Sequence, residues 1–531
     1  MSAVGKMLRE DGSTRAGSLT GVLVISRILG LARDIVLASL LGAGPAADAL
    51  RVALKIPSMI RDLVAEGSIS AAFMPSYEQQ KFNGGIDAAH RFSRSVLTLL
   101  LFGSSALALL LWQFAPTWVE QLSPGLADPS LAVQLLVELL PFLLLVPLLA
   151  VLRGILLGAN RNRSAVASQA LQNAVLVVAG LSMVNTGLTG PESASGWIRA
   201  FLGGAVLSLI LLAYSSRKAQ PLPWPTPQIR VSGIDRFLRD LGIQLLASSV
   251  VYINSILALR FASNIGTGAI TQLEIAFRFH FLPIALIGVA IGTIAGVDAS
   301  RLAAKRQSRA LALRIGRNLR NSLFISLPAA VGLAILAGPL IRLFFQHGNF
   351  NADDASQTIA TLKVFCLAIP LGCLCPTLIR TSMALGQRKL LIIASIAALL
   401  VNWTMLIVLA DGFDGRWGVP GLAIAAAAST MTSWLFLEFG LRKKIALPRL
   451  RRSAIVNNLL VALAVAGSTT LVSQLASSLL GVGSLSDIVS IGISIPAGIL
   501  VAISLGRIIG IPEVKALEKL VHSASRVLHR S

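Results

Sequence analysis

Apolar residues run through this chain in long blocks rather than in alternation or narrow stripes. A block of 18 or more is long enough for a helix to cross a bilayer. Splitting the blocks at their loops predicts fourteen spans, at 18–42, 46–79, 94–116, 131–158, 164–186, 196–215, 238–263, 268–297, 320–345, 355–385, 388–410, 417–441, 455–480 and 485–510. The first, second and eighth are visible only by length and flanks, because ionisable residues lower their hydropathy. No polar stretch is long enough for a separate soluble domain. The pattern predicts an all-α polytopic membrane protein.

Composition agrees. The 531 residues are 55% hydrophobic and 13% charged, against about 25% charged in soluble chains. The net charge of +22 would suit a nucleic-acid partner, but its distribution follows membrane topology instead. Cations cluster in alternate connections: Lys6, Arg9 and Arg15; Lys81, Arg91 and Arg94; Arg161 and Arg163; Arg217 to Arg239; Arg301 to Arg320; Arg388 and Lys389; Arg442 to Arg452; and the C-terminal tail. The intervening loops, such as GAGPAAD, SPGLADP and HGNFNADDAS, are neutral or acidic. The positive-inside rule then places both termini in the cytoplasm, which requires an even number of spans. No nucleic-acid partner is needed. The run 301–320 reads as a cytoplasmic connector facing anionic headgroups. Trp112, Trp118, Trp197 and Trp417 fall at outer ends, where an aromatic belt is expected. The first apolar segment is too long and too charged for a cleavable signal. Cys366, Cys373 and Cys375 share one apolar helix, with no second pair or nearby His, and read as packing rather than metal ligation.

An internal repeat organises the spans. PFLLLVPLLAVLRGILLGANR (141–161) and PLGCLCPTLIRTSMALGQRK (370–389) each hold two prolines six apart, then an Arg, a Gly and a basic turn. The same offset carries Asn173 onto Asn402, and a second match carries Lys55 onto Arg278. The paired spans are always six apart, so the halves share one topology, a parallel pseudo-twofold repeat. The expected organisation is a cytoplasmic N-terminus (1–17), a six-helix bundle (18–215), a cytoplasmic linker (216–237), a second six-helix bundle (238–441), two C-terminal helices (455–510) and a cytoplasmic tail (511–531). A transported substrate is expected at the midplane between the bundles.

Candidate chemistry gathers in span 2. At about 100° per residue, Asp48, Arg51, Lys55, Asp62 and Glu66 fall within roughly 60° of arc, and only Arg61 lies clearly off that line. Span 1 adds Arg27, Arg33 and Asp34; span 8 adds Glu274, Arg278 and His280. A cation at the centre of a membrane helix costs about 2.5–3.5 kcal/mol even on lenient scales, so these residues should face protein or water. One reading is a self-neutralising network that pins helices together, which fits Asp48 and Arg51 best. The other is a hydrated cavity whose surplus cations face an anion; Arg and Lys suit phosphate. Arg27, Lys55, Arg61 and Arg278 are the deepest contacts on that reading, and His280 reads as packing. Pro57, Pro141, Pro147, Pro283, Pro370 and Pro376 lie inside spans, where each permits a kink.

Residues 26–79, SRILGLARDIVLASLLGAGPAADALRVALKIPSMIRDLVAEGSISAAFMPSYEQ, closely resemble the start of the MurJ/MviN lipid II flippases, and FLPIALIGVAIGTI (281–294) resembles that family's eighth helix. The resemblance implies a member of the multidrug/oligosaccharidyl-lipid/polysaccharide exporter superfamily. Members of the MurJ/MviN family within it move lipid II, the undecaprenyl-pyrophosphate-linked peptidoglycan precursor, to the outer leaflet of the bacterial inner membrane. It implies a non-enzymatic transporter of peptidoglycan biosynthesis and cell shape, with substrate contacts at Arg27, Arg33, Lys55, Arg61 and Arg278. Asp34, Asp48, Asp62, Glu66 and Glu274 would be supporting acids. The family's R-R turn is Arg61-Asp62 here, and an acid often found after the helix 8 arginine is Phe281. The last two helices would hold the polyprenyl tail. No cofactor is implied; membrane potential and an ion gradient are both open as energy sources, and cell-wall synthesis proteins are candidate partners alongside membrane lipids. The alternative is a multidrug exporter or an exporter of another lipid-linked oligosaccharide; a cation-drug site is disfavoured by 6% aromatics and surplus cations. An enzyme acting on polyprenyl phosphates is disfavoured by five scattered histidines, and an ion channel would not need a two-bundle repeat. Arg27→Ala, Lys55→Ala or Arg278→Ala should each abolish lipid II translocation while leaving folded protein at normal level; normal leaflet transfer by all three would refute the cavity.

Overall fold

A computed structural model describes residues 22, 25–62, 69–159, 161–217, 221–228, 231–411, 417–448, 452–481 and 483–518. Among them every regular element is helical, and eleven helices are long and apolar enough to cross a membrane. The expected spans outside those eleven are 18–42, 46–79 and 238–263. The described parts of the first two are α1 (25–41) and α2 (Pro45–Arg61).

The chain divides into two compact units, the first running to Gly268 and the second from Ala269 to Arg526. The first unit continues through α3 (Ile69–Gln113), α4 (Ala115–Leu122), α5 (Pro129–Leu139), α6 (Pro141–Gly158), α7 (Asn162–Asn185), α8 (Gly190–Ser216) and α9 (Ile234–Ile265). Three sequence expectations change here. The connection carrying Lys81, Arg91 and Arg94 is helical rather than a loop, with its only non-helical backbone at Gly84 and Gly85. Gly85 has φ 70°, a conformation that glycine adopts without Cβ strain. The span 131–158 breaks at Leu140, because Pro141 cannot donate into a continuing helix and starts α6 instead. Trp197 is not in an outer belt; it is buried, and a Cβ on Gly180 would meet its ring. Trp112, Trp118 and Trp417 are exposed as expected. By its contacts, α9 packs with α3 and α4 of this unit.

The acids of the neutral-to-acidic loops have local work. Asp128 caps α5 by accepting the Leu131 amide at 2.9 Å. Asn351 and Asp354 form a reciprocal capping box at the next unit's α13, satisfying amides that a helix start leaves bare.

The second unit holds α10 (Ala269–Pro283), α11 (Ala290–Ala304), α12 (Ser308–Phe345), α13 (Ala352–Ala384), α14 (Arg388–Leu406), α15 (Gly418–Arg442), α16 (Arg452–Leu480) and α17 (Ser484–Ile508). A π-helical turn, Ile284–Val289, follows Pro283 and joins α10 to α11. Within it the backbone lies so close to α13 that a Cβ on Gly288 would sit 2.7 Å from the Cys373 Cα. The cation run 301–320 is not a free connector: the chain turns at Lys305–Arg306, and Arg309, Arg314, Arg317 and Arg320 already lie on α12. Arg314 pairs with Asp298 at 2.7 Å.

Both units tie a helix pair by the same bond. Ser208 on α8 donates to the Ser168 carbonyl on α7 at 2.7 Å, and Ser429 on α15 donates to the Ala398 carbonyl on α14 at 2.8 Å. The last helix, α17, and the chain beyond it are held to α12 at two levels. Arg342 grips buried Asp487 with both arms of its guanidinium, at 3.1 and 2.6 Å, and Arg320 reaches Glu513 at 2.8 Å. Along α12 these arginines are roughly 33 Å apart, about the thickness of the hydrocarbon core. Arg342 ends α12 and Asp487 begins α17, so each charge also faces a favourable helix end. Asp487→Ala should destabilise the chain by about 1–3 kcal/mol, seen as a lower melting temperature in detergent; an unchanged value would mean that the pair does not hold α17.

Candidate functional site

Inside the first unit, α1, α2, α6, α7 and α8 surround a recess of about 400 Å³ lined by Ser26, Arg27, Gly30, Arg33, Arg61, Arg153, Gln169, Gln172, Asn173 and Phe201. Its walls follow from helical spacing. Gln169, Gln172 and Asn173 stand at i, i+3 and i+4 and share one face of α7. Arg27, Gly30 and Arg33 stand three apart along α1. At Gly30 a Cβ would lie 3.5 Å from the Asn173 amide nitrogen, so a small residue lets α1 and α7 come close.

Asn173 ties these helices. Its carbonyl oxygen accepts from Arg33 Nη1 at 3.1 Å, and its amide donates to the Ser26 carbonyl at 3.3 Å. Arg33 also donates through Nε and Nη2 to Asp34, at 3.1 and 2.9 Å. Arg61 does the same to Asp62, at 3.1 and 2.9 Å. Each of these arginines is thus braced by the acid that follows it in sequence. Arg27 is exposed toward the recess and makes no ion pair with a described residue. Arg153 comes from α6, held by Ser168 Oγ at 3.3 and 3.2 Å.

Of the residues singled out in the sequence, Arg27, Arg33 and Arg61 meet in this recess, with Asp34 and Asp62 beside them. Lys55 is half-buried but does not line it. The six residues from Lys55 to Arg61 turn α2 by about 240°, so the off-stripe Arg61 points into the recess while the stripe points elsewhere. Asp48 is buried and accepts the Gly268 amide at 2.7 Å, a structural tie near the start of α2. Arg51 is half-buried. Glu66 lies outside the described residues. In the second unit, Glu274 is half-buried and Arg278 exposed on α10. His280 is buried and stacks on Phe365 with ring centroids 4.8 Å apart, the packing role expected of it. Cys366 and Cys373 are buried and, like Cys375, free.

Arg153, Gln169 and Gln172 were not singled out. The signal was present: Arg153 sits in the repeated proline motif, six residues after Pro147, inside an apolar span. Two glutamines at i, i+3 in the next span were a second sign, since polar side chains in membrane helices cluster on interior faces. Four guanidiniums around one small space suit a multiply charged oxyanion, because each offers a planar fork of donors that stays protonated.

The fold and recess together define a multi-pass helical membrane protein with an arginine-lined chamber in its first unit. The family model described as Lipid II flippase MurJ matches residues 37–491, and the chain belongs to that family. A probable lipid II flippase MurJ of Rickettsia prowazekii (strain Madrid E) is 27% identical over 445 residues, covering 81% of this chain and 86% of the relative. A solved lipid II flippase MurJ in an inward closed conformation superposes with TM-score 0.76 at 24% identity, over 92% of this chain and 98% of that one. An inward-facing multidrug resistance MATE family transporter of the MOP superfamily superposes with TM-score 0.64 at 16% identity, over 79% and 94%. That second likeness concerns fold alone. Asn173→Ala should lower stability by about 1–2 kcal/mol by removing the Arg33 acceptor, while Asn173→Asp, which keeps an acceptor, should recover much of it; equal melting temperatures for all three proteins would rule out the tie.

Proposed function

We propose that this chain translocates lipid II from the inner to the outer leaflet of the bacterial cytoplasmic membrane. The observation that carries the reading is the recess of Arg27, Arg33, Arg61 and Arg153 in a chain of the lipid II flippase MurJ family. A pyrophosphate crossing hydrocarbon needs cations to replace its water, whereas a polyprenyl tail can remain among lipids. The arginines supply that replacement, and Asp34 and Asp62 hold two of them in place before the ligand arrives. No covalent step is required; transport needs alternation between inward-open and outward-open states.

The finer architecture belongs to the same proposal: fourteen spans, two six-helix bundles in parallel repeat, and both termini in the cytoplasm. The matching serine ties of α7–α8 and α14–α15 support the repeat. The pair α16–α17, which carries exposed Leu459, Leu463, Leu471, Leu485, Ile493 and Leu500, offers apolar surface for the tail. Lys55 on α2 and Arg278 on α10 are further headgroup contacts in this reading, used at other stages of the cycle. Arg27→Ala and Arg61→Ala should each weaken binding of lipid II by the purified protein roughly tenfold or more, since hydrogen bonds to charged groups contribute about 1.5–3 kcal/mol. Depletion of the protein in cells should strand lipid II in the inner leaflet. Normal outer-leaflet lipid II after depletion would refute the assignment.

A further inference from the structure

Within the recess, one donor is built into the wall without a mate. Gln172 is only 7% exposed, lines the recess from α7, and its Nε2 has no acceptor among the described residues. Its stem is fixed: a Cβ on Gly204 of α8 would lie 3.2 Å from the Gln172 Cγ, so the helices meet there with little space. A buried amide held away from water and left unsatisfied is unfavourable, and folded proteins rarely retain one without a use.

Arg153 lines the same chamber and is positioned with care. Ser168 is fully buried; its hydroxyl gives its single proton to the Ala165 carbonyl at 2.8 Å and can therefore only accept from Arg153 Nε and Nη2. The carbonyl of Ser168 is fixed in turn by Ser208. This relay of hydroxyls through α7 and α8 sets the plane of the guanidinium.

We propose that Gln172 and Arg153 form a second substrate subsite, in which an amide donor and a guanidinium close together on an oxygen acceptor of the lipid-linked headgroup. The subsite rests on the proposed transport of a pyrophosphate-linked lipid and adds a specificity element to it. A headgroup without an oxygen at that point leaves the Gln172 amide donor unsatisfied and is disfavoured, which a purely electrostatic chamber would not do. The acceptor belongs either to a phosphate or to the saccharide–peptide portion, and the two differ in which lipids feel the loss.

The test uses the full-length protein in detergent, with undecaprenyl pyrophosphate and lipid II as the two probes. Gln172→Met keeps shape and removes the donor. Its ligand-free melting temperature should stay level or rise, because an unsatisfied amide has been removed, while affinity falls roughly tenfold. Arg153→Gln should weaken binding by at least as much, with partial recovery in Arg153→Lys, which restores charge but not the fork. Loss for both probes assigns the acceptor to a phosphate; loss for lipid II alone assigns it to the saccharide–peptide portion. Either supports the subsite. Wild-type affinity in both Gln172→Met and Arg153→Gln, alongside weak binding by Arg27→Ala, would overturn the subsite and leave the transport assignment standing. A Gln172→Met protein that melts earlier yet binds normally would mark the residue as structural and also overturn it. Failure of the wild-type protein to bind either lipid would overturn both readings.

Discussion

The constraint on which this molecule depends is the cost of holding guanidinium groups at membrane depth. Nothing in hydrocarbon can replace the water around them, so each must be turned inward and given partners. In the first unit that requirement explains why α1, α2, α6 and α7 converge where they do. Asp34 and Asp62 brace Arg33 and Arg61, Asn173 links Arg33 to the backbone of α1, and Ser168 holds Arg153. These partners do more than pay for burial. They leave the guanidiniums grouped around a common space, oriented before any ligand enters.

In the second unit, arginines near the two ends of the span 320–345 are paired, with the opposite result. Arg342 and Arg320 are matched to Asp487 and Glu513, and the outcome is attachment of α17 and the chain beyond it to α12. Whether an arginine on these helices serves as a clamp or faces open space depends on what it meets. A buried carboxylate gripped by both arms of a guanidinium makes a clamp. A chamber edged by amides and several arginines leaves guanidinium donors facing open space. The proposed occupant of the chamber, a pyrophosphate-linked lipid, is an anion on an apolar leash.

Much of this was legible in the chain. Long apolar blocks and alternating basic loops disclosed a polytopic helical protein, and Arg27, Arg33 and Arg61 stood out as charges in spans that should have none. The connectors were harder. Gly84–Gly85 looked like the centre of a loop, yet only those two residues leave the helix, because Gly tolerates the bend while its neighbours remain good helix formers. Trp197 looked like a belt residue because its sequence position is near an outer end; its burial depends on Gly180 of the neighbouring helix.

What the sequence determined by itself was the solvent of each segment, since hydropathy and charge are local properties summed along the chain. What only the tertiary structure decided was which polar residues share a space. The stripe through Asp48, Lys55 and Asp62 was correct as helix geometry, but a helix wheel gives angles about one axis and cannot say which neighbour each angle meets. Packing turned Arg61 rather than Lys55 into the recess, assigned Asp48 to the Gly268 amide, and brought Arg153 and Gln172 from other helices to the same chamber. Those choices arise from packing between separate helices, as where Arg33 meets Asn173 and Asp48 meets Gly268, and no local pattern encodes them.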